Sequence, residues 1–243
     1  MRQLKSFRQR THAGRQLAAA LTSYAHDPAV LVLALPRGGV PVGFAVARKL
    51  GLALDILTVR KLGLPGQEEF AMGAIGSGGV RVLQPDVVRA FGISEATLEA
   101  VCRREQLELM RRDRAFRGAR APLELAGRTI ILVDDGLATG STMRAAIAVV
   151  RASAPARIVV AVPVGAPDTC AALAPEVEHL VCLLRPPGFG AVGQWYREFG
   201  QTTDAEVQGL LALAWRNEPV EAAMPPPQGG QLLPTACATN TGY

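Results

Sequence analysis

Two adjacent carboxylates, Asp134 and Asp135, end the aliphatic run IILV and are followed by a turn rich in hydroxyl groups. The turn offers successive backbone N–H groups and the positive end of a following helix, which together bind a phosphate dianion. Its residues are Ala138, Thr139, Gly140, Ser141 and Thr142. The carboxylates would repel a phosphate, but they can accept hydrogen bonds from vicinal ribose hydroxyls or act through a divalent metal. A sugar 5-phosphate meets both demands. The alternative is that the two carboxylates only end a strand before a capped helix, an arrangement that needs no ligand.

Two other aliphatic runs also end in residues suited to anions. The run VLVLAL is followed by PRGG, in which Gly38 and Gly39 let backbone N–H groups face an anion and Arg37 adds charge-assisted hydrogen bonds. The run LDILTV ends in the cations Arg60 and Lys61. A solvent-facing pair of cations at a strand end would also explain the second pattern, because most surface cations have no special role.

Strands and helices alternate along the chain, and this order positions the three segments. Short aliphatic runs predict strands at 30–35, 54–61, 128–135, 157–164 and 179–184, with a hairpin at 72–83. Apolar residues at helical spacing predict helices at 11–24, 40–51, 94–116, 141–152, 169–173 and 204–215, the last capped by Asp204. The β-α-β order predicts an α/β fold with a parallel, twisted central sheet flanked by helices. Ligands bind beyond the carboxyl ends of such strands, where all three segments lie.

The composition of the chain limits the kinds of protein that it can be. With 243 residues, 49% hydrophobic and 19% charged, the chain suits one α/β domain, predicted at 1–217, followed by a disordered tail at 218–243. The net charge of +5 favours polyanionic partners such as phosphorylated metabolites. The four cysteines lack C-x-x-C spacing, which argues against a zinc site or a disulfide framework, and no apolar run approaches the ~18 residues that span a bilayer. We therefore expect a cytoplasmic protein without a membrane segment.

The segment VDDGLATGST, residues 133–142, resembles the 5-phosphoribosyl 1-diphosphate binding motif of the type I phosphoribosyltransferases. The order of strands, the Arg-Gly-Gly loop, the Arg-Lys pair and a late aromatic segment extend the resemblance from about residue 5 to 215. It implies the fold of that family, with a small hood at about 185–203 and a mobile loop or hairpin insertion that includes 64–80. It also implies that the PRGG loop binds diphosphate through main-chain amides, often around an unusual peptide bond.

The activity that the resemblance implies is transfer of ribose 5-phosphate from 5-phosphoribosyl 1-diphosphate to a nitrogen acceptor, with release of diphosphate and Mg²⁺ as cofactor. Asp134 and Asp135 would hold the ribose, stabilise positive charge on the sugar in the transition state and serve the metal, directly or through water. Arg60 and Lys61 would neutralise the leaving diphosphate. The implied catalytic residues are therefore Asp134, Asp135 and Lys61.

The resemblance leaves the acceptor open. Aromatic rings in the hood could stack on a flat heterocycle or could be ordinary packing, and the candidates are Phe189, Trp195 and Tyr196. The 6-oxopurine branch of the family carries an acidic residue three positions after the second carboxylate, and Ala138 stands there instead, which argues against hypoxanthine or guanine. Glu68 or Glu69 in the loop could serve a metal or the acceptor. A homodimer is also implied, with the N-terminal helix or the helix at 94–116 as its interface.

Two alternatives compete with this enzyme. The same fold serves non-catalytic regulators that bind the diphosphate sugar and nucleic acid, and the positive net charge would suit that role. No helix-turn-helix and no aromatic and basic RNA surface is visible in the sequence, so nucleic acid is the weaker expectation. A phosphoacceptor pocket or Walker-type site is disfavoured because the chain has no G-x-x-x-x-G-K-[ST] segment and the hydroxyl-rich turn follows the carboxylates directly.

Overall fold

The computed structural model describes residues 6–216, except for the side chain of Glu69. Eight strands lie in this part of the chain: β1 Val30–Ala34, β2 Ala53–Ile56, β3 Val59–Leu64, β4 Gln67–Gly76, β5 Val80–Leu83, β6 Thr129–Val133, β7 Arg157–Val164 and β8 His179–Leu184. The α-helices in the same range are α1 Arg10–Ala19, α2 Gly39–Leu50, α3 Pro85–Ala90, α4 Glu95–Arg117, α5 Ser141–Arg151, α6 Pro167–Leu173 and α7 Asp204–Trp215.

Five strands form a parallel sheet in the order β2-β1-β6-β7-β8. Successive residues of β1 point to opposite faces: Val30 and Val32 pack with α1, α2 and α7, whereas Leu31 and Leu33 pack with α5 and α6. Because helices cover both faces, the strands are aliphatic along their length instead of alternating with polar residues. The predicted parallel sheet flanked by helices is confirmed.

A second sheet, antiparallel and in the order β3-β4-β5, belongs with α3 and α4 to an insertion at residues 59–117. Its strands β4 and β5 form a hairpin in which Gly78 and Gly79 have φ of 82° and 78°, and this confirms the hairpin predicted at 72–83. Much of the segment 64–80, predicted as a loop, is strand β4 paired with β3. The insertion has its own apolar core, formed by Leu62, Leu64, Met72, Ile75, Leu98, Val101, Cys102 and Leu109.

The strand predicted at 54–61 is wrong in one respect, because the chain passes there from one sheet to the other. Strand β2 ends at Ile56 in the parallel sheet, and β3 begins at Val59 in the antiparallel sheet. The Thr58 N–H donates to Ser77 Oγ at 3.0 Å, and the Ser77 N–H donates to Thr58 O at 2.9 Å. A partner 19 residues away leaves no mark in the local apolar pattern, so that pattern could not show the division.

Two of the contacts that hold the insertion against the core are a buried ion pair and a close approach to α5. Arg117, at the end of α4, donates Nε to Asp55 Oδ1 at 3.0 Å and Nη2 to Asp55 Oδ2 at 3.1 Å, and both side chains are buried. Gly76 of β4 lies so close to α5 that a Cβ there would overlap Val149 Cγ1. The insertion is therefore held against the helix that begins at the hydroxyl-rich turn.

The segment after β8 closes against the start of the described chain. The Phe7 N–H donates to Trp195 O at 2.8 Å, and Phe7 forms a bridge with Tyr196. This segment, predicted as the hood at 185–203, contains the short 3-10 helix Val192–Trp195. The ring of Tyr196 is buried with Phe7, so the segment is anchored to the core by aromatic packing.

The last helix begins at the predicted residue but has a different cap. Thr203 precedes α7, and its Oγ1 accepts a hydrogen bond from the Glu206 N–H at 3.1 Å, so Thr203 and not Asp204 is the N-cap. The tail predicted at 218–243 lies outside the described residues. Within residues 6–216, no helix combines the length and apolar character that a membrane span requires.

Candidate functional site

The carboxylate pair follows β6, the central strand of the parallel sheet. Asp134 Oδ1 accepts a hydrogen bond from the Asp135 N–H at 2.8 Å, and Asp135 Oδ2 accepts one from Arg10 Nε at 2.8 Å. Both residues are intermediate in exposure at the carboxyl end of the sheet, and the side chain of Asp135 is 14% exposed. A ligand can therefore reach Asp135 from this end of the sheet, and the protein fixes the orientation of both carboxylates.

The surroundings of the pair disfavour two full negative charges. Burial and then the neighbouring charge of Asp135 raise the pKa of Asp134 well above its ordinary range. Burial also raises the pKa of Asp135, although the hydrogen bond from Arg10 and its positive charge oppose that rise. Groups with such displaced pKa values are common in functional sites, because a bound ligand supplies the compensating interaction. The geometry suits a ligand that brings hydroxyl donors or positive charge.

The glycine loop lies directly against the carboxylates. A Cβ on Gly38 would overlap Asp135 Oδ2, and one on Gly39 would be 2.6 Å from Val133 O, so any larger residue would collide with this strand end. The peptide bond between Pro36 and Arg37 is cis, as the resemblance led us to expect of this loop. The Gly39 N–H donates to Leu35 O at 3.0 Å, so Gly39 contributes space for close approach and not a free amide.

Arg37, the cation of this loop, points outward. Its side chain is 41% exposed, and Nη1 lies 3.4 Å from Asp204 Oδ1 at the start of α7. An exposed pair of this kind contributes little to stability. The guanidinium can therefore turn to a ligand at small cost.

The turn at 138–142 has the geometry of an anion site. Gly140 has a φ of 72° and stands at the N-cap of α5, so the backbone turns sharply before the helix begins. Thr139 and Thr142 are exposed, and the Thr139 hydroxyl donates to Ser141 Oγ at 3.3 Å. Thr169 of α6 supports the turn from below, because its hydroxyl donates to Ala138 O at 2.6 Å. The turn thus brings exposed hydroxyl-bearing residues together with the positive end of α5.

A cavity of about 360 Å³, here called the insertion cavity, joins the turn to the insertion. Thr142 and Ala145 of α5 line one side, and β3, β4 and α4 line the other with Val59, Arg60, Lys61, Gly63, Glu68, Arg104 and Glu105. The predicted cation pair therefore shares a cavity with the predicted phosphate turn, although Lys61 and Thr142 are 81 positions apart in the sequence. Arg60 is held by Glu105, with Nε 2.8 Å and Nη2 2.6 Å from Glu105 Oε2.

The three aromatic residues predicted to stack on an acceptor differ in their surroundings. Tyr196 is 6% exposed, its ring packs against Phe7 and Phe199, and its hydroxyl donates to Asp135 O at 2.6 Å. This residue supports the carboxylate strand end, so stacking at Tyr196 would require its ring to leave that packing. Phe189 and Trp195 are only partly buried beside the same aromatic cluster.

Three functional candidates were not predicted from the sequence. Arg10 joins Asp135 to the segment after β8, because its Nη1 donates to Gly200 O at 2.7 Å and its guanidinium lies 3.9 Å from the Phe199 ring centroid. The helix α4 contributes the other two, Arg104 and Glu105, to the insertion cavity. All three lie in polar, arginine-rich stretches, and no sequence motif distinguishes them from the charged residues around them.

The donor set fits Mg²⁺ that arrives with a phosphate ligand. Among residues 6–216, no group of three or more His, Cys, Asp and Glu side chains could hold a metal ion by itself. Mg²⁺ commonly binds through one or two carboxylates together with phosphate oxygens and water. Asp134 and Asp135 can supply those carboxylates, and the phosphates would come from the ligand.

Comparison with known proteins gives a consistent result. The sequence model of the phosphoribosyl transferase domain matches residues 2–174. Two curated proteins of Mycobacterium tuberculosis, from strains CDC 1551 / Oshkosh and ATCC 25618 / H37Rv and both with phosphoribosyl transferase in their names, are 48% identical to this chain over 228 residues. Those matches cover 92% of this chain and 51% of each relative, so the chain spans about half the length of the curated relatives it matches.

A solved structure extends the similarity to three dimensions. The crystal structure of TT1426 from Thermus thermophilus is 44% identical to this chain and superimposes on it with a TM-score of 0.78. The superposition covers 85% of this chain and 97% of that one.

Proposed function

The chain belongs to the phosphoribosyltransferase family, and on that premise we propose that it transfers ribose 5-phosphate from 5-phosphoribosyl 1-diphosphate to a nitrogen acceptor, releasing diphosphate. One observation carries the proposal: the loop of Gly38 lies in contact distance of Asp135, and the hydroxyl-rich turn follows the same carboxylate within the next seven residues. A ligand at this end of the sheet would meet the glycine loop, the carboxylates and the hydroxyls of the turn, which suit a ribose that carries a 5-phosphate and a 1-diphosphate.

The turn at 138–142 is the proposed site of the 5-phosphate. Its backbone N–H groups, its hydroxyls and the positive end of α5 all favour a dianion. Gly140 is needed there because a residue with a side chain rarely adopts its φ of 72°, and a Cβ would also be 2.7 Å from Thr169 Cγ2. The support from Thr169 keeps the turn in place when the ligand is absent.

Asp134 and Asp135 are the proposed partners of the ribose. In the reaction, the bond between C1 of the ribose and the diphosphate oxygen breaks, and its electron pair leaves with diphosphate. The lone pair of the acceptor nitrogen then forms the new bond to C1, and a proton leaves that nitrogen where it carries one. The carboxylates stabilise positive charge on the ribose during this exchange, because they are oriented before the substrate arrives.

The cations of the insertion cavity are the proposed site of the leaving group. Lys61 and Arg60 line this cavity beside Thr142, so negative charge that develops on diphosphate would be met by positive side chains. Asp134 and Asp135 would hold Mg²⁺ together with the substrate phosphates, and the ion would supply further positive charge to the leaving group. Glu68, which also lines the cavity, is a further candidate for contact with the metal or the acceptor.

The acceptor is proposed to be a flat nitrogen heterocycle next to the segment 185–203. Phe189 and Trp195 are the aromatic rings available there, since Tyr196 supports Asp135 from a buried position. The residue three positions after Asp135 is Ala138, which offers no carboxylate to a 6-oxopurine. We therefore expect an acceptor whose nitrogen needs no acid or base at that position.

The experiment that tests the proposal uses the whole chain, 5-phosphoribosyl 1-diphosphate, Mg²⁺ and single nitrogen heterocycles supplied in turn. We expect diphosphate release that depends on one acceptor, and its loss when Asp134 and Asp135 are both changed to Asn. Calorimetric titration of the same samples separates two outcomes. Binding without turnover for any acceptor would indicate a sensor of the diphosphate sugar, and absence of binding would refute the proposed site.

A further inference from the structure

Glu105 is a buried carboxylate on a helix whose other charges mostly face solvent. Its side chain is 9% exposed, whereas Glu108, one turn further along α4, is 30% exposed and pairs with Arg111 and Arg112 at the surface. Burial of a carboxylate is costly unless it is paired and hydrogen-bonded. Two arginines meet this demand, because Arg60 binds Glu105 Oε2 and Arg104 Nε lies 3.0 Å from Glu105 Oε1.

The two arginines occupy different environments although they share one carboxylate. Arg60 is 30% exposed and belongs to β3, while Arg104 is 63% exposed and belongs to α4. Both contacts of Arg60 fall on Oε2, so Arg104 supplies the hydrogen bond to Oε1, and the carboxylate joins the two arginines. Burial opposes the charge of Glu105, but the hydrogen bonds from both arginines outweigh it and lower the pKa of Glu105.

The lining of the insertion cavity carries an excess of positive charge. Three cations, Arg60, Lys61 and Arg104, face two carboxylates, Glu68 and Glu105, and Glu105 is already engaged by both arginines. The guanidinium of Arg104 has five N–H donors, and Nε accounts for its contact with Glu105. Its remaining donors are therefore available at an exposed position on the cavity wall.

We propose that Arg104 of α4 binds the leaving diphosphate together with Arg60 and Lys61, while Glu105 holds both arginines in place. This inference rests on the proposed function and adds to it a residue from the insertion helix. A cavity of about 360 Å³ is within the range of small-molecule sites and can hold a diphosphate with its metal. The insertion would then supply one wall of the leaving-group site from two separate elements, β3 and α4.

The test is calorimetric titration of the whole chain with magnesium diphosphate and, separately, with ribose 5-phosphate. Arg104→Ala is expected to weaken diphosphate binding by about tenfold or more, the range of a lost charge-assisted contact. Ribose 5-phosphate should bind within about twofold of the unaltered protein, because its phosphate occupies the turn at 138–142 and not the cavity. Arg104→Lys, which keeps the charge without the planar fork, should recover part of the loss.

Arg103→Ala is the matched control. Arg103 precedes Arg104 on the same helix, is exposed and does not line the insertion cavity, so the change in net charge is identical. We expect it to leave diphosphate binding unchanged. If Arg103→Ala and Arg104→Ala weakened diphosphate binding equally, the loss of affinity would come from the change in net charge, and the inference would be overturned.

The outcomes separate this inference from the proposed function. If Arg104→Ala binds diphosphate normally while Lys61→Ala does not, the role of α4 is refuted and the proposed function stands. If the unaltered chain binds neither diphosphate nor 5-phosphoribosyl 1-diphosphate, both fail. Circular dichroism and thermal unfolding of each variant identify any that do not fold, and in that case Arg104→Lys decides the question.

Discussion

At the scale of single residues, Asp134 combines a functional position with an unfavourable environment. It lies at the carboxyl end of the central strand, partly buried, next to a second carboxylate. Burial and the neighbouring charge of Asp135 raise the pKa of Asp134, so we expect its ionised form to be unfavourable when no ligand is bound. Sites of this kind often trade stability for activity, because the group is placed for the ligand and not for the fold.

The change Asp134→Asn should therefore stabilise the protein without ligand while removing its binding of the diphosphate sugar. The Asn side-chain oxygen can still accept from the Asp135 N–H, so the geometry is kept. Each 1 kcal/mol gained would raise the melting temperature by about 2–4 °C for a domain of this size. Differential scanning calorimetry in buffer with a chelator measures the effect.

The pH dependence of this gain has a definite sign. A carboxyl group whose pKa is raised by folding lowers stability as pH rises from its unfolded to its folded pKa. The advantage of Asn should thus be full at pH values above the raised pKa and should vanish near the ordinary pKa of an aspartate. An advantage that grew toward acid pH would contradict the assignment.

Gly38 offers a steric test at the same scale. Its φ of −61° suits any residue, so Gly38→Ala has no backbone cost, but the added Cβ would overlap Asp135 Oδ2. We expect binding of the diphosphate sugar with Mg²⁺ to weaken by about tenfold or more, equivalent to ~1.4 kcal/mol. Gly209→Ala, in open space on α7, is the control and should bind normally. Unaltered affinity of the Gly38→Ala variant in calorimetric titration would remove the loop from the site.

At the scale of elements, the site depends on how the insertion is attached to the parallel sheet. The insertion has its own apolar core, and Ala74, Val59 and Val80 of its sheet also pack in the apolar cluster that contains α5. The Arg117 to Asp55 pair joins the end of α4 to β2, and the close contact of Gly76 with Val149 joins the hairpin to α5. These contacts place β3 and α4, with the cations of the insertion cavity, beside the turn that begins α5.

Asp55→Ala should destabilise the fold strongly, because it leaves the Arg117 guanidinium buried without a counter-ion. Loss of one partner of a buried pair costs about 3–5 kcal/mol. Urea denaturation followed by circular dichroism measures the change in unfolding free energy. The control is Arg89→Ala, which breaks the exposed pair with Asp86 and should leave the unfolding midpoint where it is. A cost below about 1 kcal/mol for Asp55→Ala would show that the pair is not needed to hold the insertion.

At the scale of the whole molecule, the proposed function requires the parallel sheet and the antiparallel sheet to bind different parts of one substrate. The parallel sheet carries the carboxylates and the turn, and the antiparallel sheet carries the cations. The chain also spans about half the length of its curated relatives, so the site lies within a unit that those proteins combine with further sequence. The expected homodimer stays a prediction.

Hydrogen exchange can test whether one ligand bridges the two sheets. With Mg²⁺ and 5-phosphoribosyl 1-diphosphate we expect added protection in β3 and β4 as well as in the turn at 138–142. Ribose 5-phosphate, the control, should protect the turn and leave β3 unchanged, because it lacks the diphosphate. At a ligand concentration of about 100 times Kd, binding adds roughly 2.7 kcal/mol of stability. Protection confined to the turn would place the leaving group outside the insertion cavity.

The amino-acid sequence by itself determined the features that are local. Asp134, Asp135 and the turn that follows them are contiguous, so the motif and the family were predictable, and the aliphatic runs predicted every strand of the parallel sheet. The division of 54–61 between two sheets was missed because hydrogen bonds to Ser77 decide it. Thr203 and not Asp204 caps α7, because Thr203 Oγ1 accepts the hydrogen bond from the Glu206 N–H. Two neighbouring polar residues were both suitable caps, and only the backbone geometry distinguishes them.

Only the tertiary structure decided which distant charges meet. Arg10 reaches Asp135 across 125 positions, and Arg104 and Glu105 reach the cavity of Lys61 and Thr142 by way of a 23-residue helix. Charged side chains are common on helices, and no sequence pattern identifies their partners. Those partners depend on how the helices and strands pack. The chemistry of a contiguous turn can be predicted from its residue types, whereas a cavity forms only where separate elements pack together.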